Sequence, residues 1–313
     1  MRKLLALLVL LAVAPAALAQ EKAAIDAAHE RALAYTEKSQ YAECRGVLQP
    51  FVKNATAAEA VVFHTYGNCL EGLGKRDEAI KIYRRGLQLL PRDPQLSFYL
   101  AIALMNEDQF DEARELLKTD LRQRPGHASG HFFLGLLFRR QGFRVPAAVE
   151  LLRFLAIEPT GERAKVAAGQ VLELMNVGVT KKSDKNIELK VDPGAPETEG
   201  DFTGVEMGWA FAAGAQLTEE SAKMSEFERL IDQVASSISM LVEMNENNPG
   251  SDFISRTELP FFAALYKAKQ IEPFVAVAFS TSPAAGKEAW ARKHTDELAA
   301  MLKWLGQQRE NQP

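Results

Sequence analysis

Three consecutive stretches of the chain have the same length and repeat the same residue types in register. They read AVVFHTYGNCLEGLGKRDEAIKIYRRGLQLLPRD (Ala60–Asp93), PQLSFYLAIALMNEDQFDEARELLKTDLRQRPGH (Pro94–His127) and ASGHFFLGLLFRRQGFRVPAAVELLRFLAIEPTG (Ala128–Gly161). Small residues recur at the eighth and twentieth positions, which hold Gly67, Ala101 and Gly135, and then Ala79, Ala113 and Ala147. Small residues let two helices approach closely. The common period of 34 residues therefore predicts a helical repeat.

Three further columns keep the same register. Proline, which ends a helix, stands at the thirty-second position as Pro91, Pro125 and Pro159. Large apolar residues, which interdigitate between helices, stand at the seventh and twenty-fourth positions: Tyr66, Leu100 and Leu134, and then Tyr83, Leu117 and Leu151. Because these columns differ in chemistry, chance does not explain a period that they all share.

This pattern resembles the tetratricopeptide repeat family, whose unit is a helix–turn–helix of 34 residues, with a helix A followed by a helix B. Two positions depart from the family pattern. The fourth, often aromatic, holds Phe63, Ser97 and His131, and the twenty-seventh, often small, holds Gly86, Asp120 and Phe154. The resemblance implies an α-solenoid and a role in binding other proteins.

The remaining sequence extends this organisation in both directions. We expect a degenerate repeat at about residues 22–59, with Cys44 at its twentieth position, and a capping helix at 162–176 that completes a solenoid of residues 20–179. A charged and proline-rich linker follows at 180–201, in which Ile187–Val191 alternates like one short strand. Residues 202–313 read as a smaller, mainly helical domain. The predicted fold class is all-α.

The first residues have the pattern of a secretory signal peptide. Arg2 and Lys3 precede the apolar run Leu4–Val13, and Ala17-Leu18-Ala19 forms a small-residue cleavage site. We predict that residues 1–19 are removed near Ala19 and that the protein is periplasmic or secreted. No later run of about 20 apolar residues predicts a membrane span.

The net charge limits the classes of partner that we expect, and the cysteine content raises the question of a disulfide. The formal net charge is −4, and loss of Arg2 and Lys3 would make it −6, which disfavours nucleic acid and anionic membranes as partners. The two cysteines, Cys44 and Cys69, fall on a B helix and on the A helix that follows it. In an oxidising compartment they are candidates for a disulfide, and the alternative is two buried unpaired thiols.

The sequence lacks the motifs of common enzymes: it has no G-x-S-x-G, H-E-x-x-H, P-loop or G-x-G-x-x-G motif. His127 and His131 are four residues apart, which is a weak metal signal without a third ligand, and His131 is expected to pack between helices. We therefore predict no catalysis, no cofactor and no metal. The alternative is an enzyme or ligand-binding site in the C-terminal domain, lined by aromatic residues: Trp209, Trp290, Trp304, Tyr266 and Phe261.

The family resemblance also places a binding groove on the A helices, mainly at the second, fifth, ninth, twelfth and thirteenth positions. The predicted groove residues are His64, Asn68, Gln95, Phe98, Ile102, Met105, Phe132, Leu136, Arg139 and Arg140. The apolar members would hold a helix or an extended peptide, with Arg139 and Arg140 taking an acidic group. The alternatives are a groove filled by the chain's own linker or second domain, and self-association through a solenoid end. A non-catalytic scaffold of the cell envelope is the predicted function.

Overall fold

The computed structural model describes residues 2–53, 60–183, 186–189, 199–218 and 220–310. The chain divides into two compact units, Met1–Asp120 and Leu121–Pro313. Within the described residues the secondary structure is helical apart from one two-stranded hairpin. The all-α fold class is therefore confirmed.

The first unit contains the helices of the N-terminal repeats, and a sixth helix crosses the division between the units. Their bounds are α1 Arg2–Glu37, α2 Tyr41–Val52, α3 Ala60–Gly72, α4 Arg76–Leu89, α5 Pro94–Asn106 and α6 Phe110–Gln123. The A helices α1, α3 and α5 lie side by side, the B helix α2 packs against α1 and α3, and the B helix α4 packs against α3 and α5. This is the packing of stacked helical pairs.

The recurring small residues have the role that the pattern predicted. A Cβ atom added at Gly67 would overlap the Tyr83 ring, and one added at Gly135 would lie 2.8 Å from the Cγ atom of Leu151. Each contact joins the eighth position of a repeat to its own twenty-fourth position. The absence of a side chain on helix A therefore lets a large residue of helix B enter the space between the helices.

The turn between helix A and helix B contains a conformational feature that marks the same position in each repeat. The fifteenth position has a left-handed backbone in each clear repeat, with φ values of 70° at Gly74, 57° at Asp108 and 85° at Gly142. Ser39 has the same conformation, with φ of 56°, in the turn between α1 and α2. The left-handed backbone at Ser39 therefore indicates that α1 and α2 form one further repeat unit.

A disulfide joins α2 to α3 in the first unit. It links Cys44 and Cys69, whose Cα atoms are 5.8 Å apart and whose side chains are fully buried. Of the two alternatives that the sequence left open, this structure has the paired one. The covalent link connects helix B of the first repeat to helix A of the second.

The second unit contains the third clear repeat and everything after it. Its helices are α7 Ala128–Arg140, α8 Arg144–Ile157, α9 Glu162–Met175, α10 Thr203–Ala215, α11 Glu226–Asn247, α12 Leu259–Lys267, α13 Ile271–Ala278, α14 Lys287–Lys293 and α15 Thr295–Glu310. A π-helical segment, Ile254–Glu258, runs directly into α12. None of the described helices has the length and apolarity needed to cross a bilayer.

Helix α8 is the centre of this second unit. Every residue from Arg144 to Ala156 is buried, because α7, α9, α10, α13 and the π-helical segment all pack against it. A helix that is enclosed on all sides needs no polar face. The C-terminal helices thus pack directly on helix B of the third repeat.

A short hairpin connects α9 to the C-terminal helices. Strands β1 (Val179–Ser183) and β2 (Asn186–Leu189) are antiparallel, with Thr180 opposite Glu188. Of the short strand indicated over Ile187–Val191, residues 187–189 lie in β2 and residues 190 and 191 lie outside the described part of the chain, while β1 has no counterpart in the prediction. Much of the predicted linker, residues 190–198, lies outside the described part of the chain, and the predicted domain limits stay a prediction.

Candidate functional site: the inner face of the repeat helices

The first unit leaves one face of its A helices open, as α3 shows. Between Val61 and Gly72, the residues that are not buried are Val61, His64, Asn68, Glu71 and Gly72. These are the second, fifth, ninth, twelfth and thirteenth positions of the repeat. We call the surface formed by these positions on α1, α3 and α5 the inner face.

Helix α5 gives the inner face its apolar part. Phe98, Ile102 and Met105 are half-buried there, while Gln95 and Asn106 are exposed. The opposite side of α5 faces the core through Leu96, Leu100, Ala101, Ala103 and Leu104. Asp93 fixes the start of the helix, since its side chain accepts a 2.8 Å hydrogen bond from the Leu96 backbone N–H, and Pro94 follows it.

Helix α1 adds residues to the inner face that the sequence analysis did not list. With Ser39 at the fifteenth position, the corresponding positions of α1 hold Asp26, His29, Leu33, Thr36 and Glu37. Leu33 is 45% exposed. The signal that would have found these residues was available in the sequence, because Cys44 had already been placed at the twentieth position.

Hydrogen bonds between neighbouring helices hold two of the predicted residues in place. The His64 Nε2 atom donates to Asp93 Oδ1 at 3.0 Å, and the Tyr83 hydroxyl donates to Asn68 Oδ1 at 2.8 Å. The Tyr99 ring stacks on Tyr83, with centroids 5.9 Å apart. The polar groups of His64 and Asn68 are thus already engaged within the repeats, so the half-exposed apolar residues beside them are better candidates for contact with a partner.

The inner face of the first unit is acidic. Its fifteen positions on α1, α3 and α5 include three carboxylates, Asp26, Glu37 and Glu71, and neither lysine nor arginine. Burial raises the pKa of Glu71, an effect that the carboxylate of Glu107 reinforces and that Arg76 and a hydrogen bond from Asn106 oppose. The Oε1 atom of Glu71 is buried and has no hydrogen-bond partner.

The histidine at the fifth position of α1, His29, belongs to the inner face. Burial lowers the pKa of His29, Asp26 opposes that shift, and the neighbouring imidazole of His64 adds to it. The lowered pKa favours the neutral form of His29, and the inner-face positions of the first unit hold neither lysine nor arginine.

The other predicted groove residues lie in the second unit, on α7. Leu136 is half-buried, and Arg139 and Arg140 are exposed, with Arg139 Nη2 only 2.9 Å from Glu173 Oε2. Phe132 is only 8% exposed, because its ring packs on Phe154 with centroids 5.0 Å apart. Phe132 thus contributes to the core of its unit and presents little surface. That α3, α5 and α7 share one groove stays a prediction.

A buried polar cluster lies behind α7 in the same unit. His131 Nε2 donates to the Pro125 carbonyl at 2.8 Å, while His131 Nδ1 lies 2.7 Å from Glu150 Oε2 and 3.9 Å from Glu258 Oε2. Arg153 Nε donates to Glu258 Oε2 at 2.9 Å, and its guanidinium lies over the Phe261 ring. The side chains of His131, Glu150 and Glu258 are buried.

One proton is shared within this cluster. Since His131 Nε2 donates to a carbonyl, the short Nδ1–Glu150 contact requires a proton on one atom or the other. Burial, and then the carboxylate of Glu258, raise the pKa of Glu150 to about 7, against the His131 and Arg153 contributions. The two carboxylates and the hydrogen bond to Glu150 together raise the pKa of His131, although burial opposes them.

Among the described residues, His131, Glu150 and Glu258 form the group whose spacing most resembles a set of metal ligands. Their ligand atoms lie within 4.8 Å of one another. However, both His131 nitrogens already have partners, and the Arg153 guanidinium neutralises Glu258. A divalent cation beside that guanidinium would be repelled, so the arrangement fits a structural ion-pair network better than a metal centre. The pairing that the sequence offered, His131 with His127, is not the one that this cluster uses.

The C-terminal helices form a separate open cleft of about 1,090 Å³. Of the five aromatic residues predicted to line a pocket, Trp290 and Tyr266 line this cleft. Trp290 stacks on His294 with ring centroids 4.0 Å apart, and the Tyr266 hydroxyl donates to Glu243 Oε1 at 2.6 Å. Trp209 is instead buried in the core, and Trp304 packs on Phe261.

Residues 70–131 match the tetratricopeptide repeat family model. No curated protein shows a significant match to the sequence.

Among solved structures, a tetratricopeptide repeat protein from Parabacteroides merdae is 13% identical, with 90% of this chain and 98% of that chain covered and a TM-score of 0.42. MamA AMB-1 is 16% identical over 48% of this chain and 82% of that one, with a TM-score of 0.40. The C-terminal part of a TPR repeat-containing protein from Cytophaga hutchinsonii is 12% identical over 82% and 83%, also with a TM-score of 0.40.

Proposed function

Because the chain contains tetratricopeptide repeats, a module that binds protein partners, we propose that it is a non-catalytic scaffold whose inner face holds a segment of another protein. The observation that carries this proposal is the open side of the A helices. In α3 every residue that is not buried falls on that side, and in α5 the same side presents Phe98, Ile102 and Met105 half-exposed. Apolar side chains left at a surface in this way favour contact with a partner.

The proposal includes an envelope location, which rests on the N-terminal pattern. The basic start, apolar run and Ala17-Leu18-Ala19 motif support export, and the paired cysteines of the first unit are in keeping with an oxidising compartment. N-terminal sequencing of the protein from cell fractions tests this. A mature chain beginning near Gln20 in the periplasmic or secreted fraction is expected, and an uncleaved chain in the cytoplasm would contradict export.

Photo-crosslinking in living cells tests the scaffold function. A photoreactive amino acid at Ile102, on the inner face, should capture an envelope protein identifiable by mass spectrometry. The same amino acid at Glu43, an exposed position on the B helix α2, is the matched control. Equal capture from both positions, or none from Ile102, would argue against the inner face as the binding surface. A crosslink to this chain's own residues beyond Thr180 would show that the chain fills its own face.

The cleft of the C-terminal helices favours a second candidate function, the binding of a small ligand. The half-buried rings of Tyr266 and His294 and the polar groups of Glu243 and Glu272 line one continuous space. A thermal-shift screen with cell-wall fragments, nucleotides and metal ions tests it, because a ligand that binds only the native state raises the melting temperature. A shift that disappears in His294→Ala would support this candidate, and no shift across the screen would exclude these ligand classes.

A further inference from the structure

The charge of the inner face identifies the chemistry of the segment it holds, if the proposed function is correct. The sequence predicts that Arg139 and Arg140 take an acidic group of the partner. In the structure Arg139 is already paired with Glu173, and both arginines belong to the second unit. The charge that the inner face of the first unit prefers in a partner therefore depends on the charged residues of that unit.

Those charges are negative and adjoin the apolar part of the face. Glu71 stands at the twelfth position of α3, and the half-exposed Met105 stands at the equivalent position of the neighbouring helix α5. Likewise Glu37 follows shortly after the exposed Leu33 on α1. An apolar side chain and a carboxylate thus recur together along the face.

One oxygen of the Glu71 carboxylate lacks a hydrogen-bond partner, although the carboxylate also accepts a hydrogen bond from Asn106. The oxygen without a partner is Oε1, Glu107 is a second negative charge nearby, and Arg76 is shared with Glu107 at 3.5 Å. Two carboxylates sharing one guanidinium leave a net negative charge at this end of the face. A cationic group from outside would offset both the repulsion and the cost of partial burial.

We infer that the inner face of α1, α3 and α5 binds a protein segment in which lysine or arginine residues alternate with large apolar residues. The apolar side chains pack on Leu33, Phe98, Ile102 and Met105, and the cations pair with Glu37 and Glu71. The affinity then falls as salt is added, because part of it is electrostatic.

Two synthetic helical peptides of opposite charge test the inference. Each has about 18 residues with leucines spaced three and four apart, and the remaining positions are lysine in one and glutamate in the other. Fluorescence anisotropy with the whole mature chain should show the lysine peptide binding at least about ten-fold more tightly than the glutamate peptide. Equal affinity, or preference for the glutamate peptide, would overturn the charge assignment.

Variants distinguish binding by the inner-face carboxylates from non-specific attraction by the net negative charge of the chain. Glu37→Gln/Glu71→Gln should weaken binding of the lysine peptide several-fold, and Ile102→Asn should weaken binding of either peptide, while all variants keep the native circular dichroism spectrum. Glu43→Gln, which removes an exposed carboxylate from a B helix, is the control and should change nothing. An equal loss in Glu43→Gln would show non-specific attraction and overturn the inference.

If neither peptide binds, the inference is also overturned, and crosslinking from Ile102 decides the proposed function separately. A partner captured there by a segment that lacks cations would keep the scaffold function and reject its charge class. Absence of capture as well would reject both.

Discussion

At the scale of single residues, the eighth position of the repeat shows how closely the helices meet. In Gly135→Ala the new Cβ would crowd the buried Leu151 side chain and the Ala147 carbonyl oxygen, 3.3 Å away. We expect the free energy of unfolding to fall by about 1–3 kcal/mol in urea denaturation. Gly169→Ala in α9 is the control, since its Cβ would meet nothing within 4 Å and should stabilise the helix by about 0.5–1 kcal/mol. Similar effects of both substitutions would contradict the close approach.

Titration of the buried pair His131–Glu150 should be visible in stability. Both pKa values are raised in the folded chain, so the native state holds a proton that the unfolded state releases earlier. The stabilisation is complete below the unfolded pKa of each group and is lost as pH rises through the folded value, from about 4.5 to 7 for Glu150. We therefore expect the free energy of unfolding to decline over this range.

Glu150→Gln isolates that contribution. A glutamine amide can donate to His131 Nδ1 as a protonated carboxyl would, so the fold should persist. The difference between wild type and variant should then change with pH, measured by urea denaturation at pH 5, 6, 7 and 8. Parallel curves for the two proteins would show that the pair does not titrate in this range.

At the scale of elements, Arg153 and Glu258 join α8 to the π-helical segment. In Arg153→Met, Glu258 would keep its buried charge without its guanidinium partner, and we expect a loss of about 3–5 kcal/mol in the free energy of unfolding. The double variant Arg153→Met/Glu258→Gln should recover much of that loss. The exposed pair Arg139–Glu173 is the control, since Arg139→Met should cost no more than about 1 kcal/mol. Equal losses at both sites would contradict the role of burial.

The disulfide between α2 and α3 makes a second prediction at this scale. The denatured, unreduced protein should show no reactive thiol, and two after reduction. Because Cys44 and Cys69 close a loop of about 25 residues, reduction should lower the free energy of unfolding by about 2–4 kcal/mol. A Cys44→Ala/Cys69→Ala variant should be insensitive to reductant. Two thiols titrating before reduction would show that the chain is not oxidised.

Individual elements also show what the sequence could predict. The columns of small, apolar and proline residues report packing between neighbouring helices, which is local, so the three clear repeats followed from them directly. On α11 the buried residues include a set that recurs at the three- and four-residue spacing of one helix face, a pattern that is also visible in the sequence: Phe227, Leu230, Ile231, Val234, Ile238, Leu241 and Val242.

The buried cluster could not be predicted in the same way. His131, Glu150 and Glu258 are brought together by packing between α7, α8 and the π-helical segment, across a sequence separation that no periodic pattern links. The burial of Phe132 has the same origin, since its ring meets Phe154 of α8. For the inner face, the family resemblance supplied the positions on α3 and α5, and Cys44 at the twentieth position was enough to extend them to α1, a register that the left-handed turn at Ser39 also supports.

At the scale of the whole molecule, the burial of α8 affects whether the predicted solenoid can fold without the C-terminal helices. The predicted boundary at 180–201 implies that residues 20–179 fold alone. However, α10, α13 and the π-helical segment cover α8, and their removal would expose a largely apolar helix. We expect a fragment of residues 20–179 to self-associate in light scattering and to unfold at a lower temperature than residues 20–313. A monomeric fragment of unchanged melting temperature would instead support an independent solenoid.

If the protein is exported as we propose, the position of the disulfide along the chain also determines when the bond can form. Cys69 is followed by more than two hundred residues, so both cysteines of the bond precede the second and third clear repeats. If the chain crosses the membrane from its N-terminus, the bond can close while most of the polypeptide is still on the other side. The first two repeat units would then be tied together early and would offer the emerging helices a finished surface on which to stack.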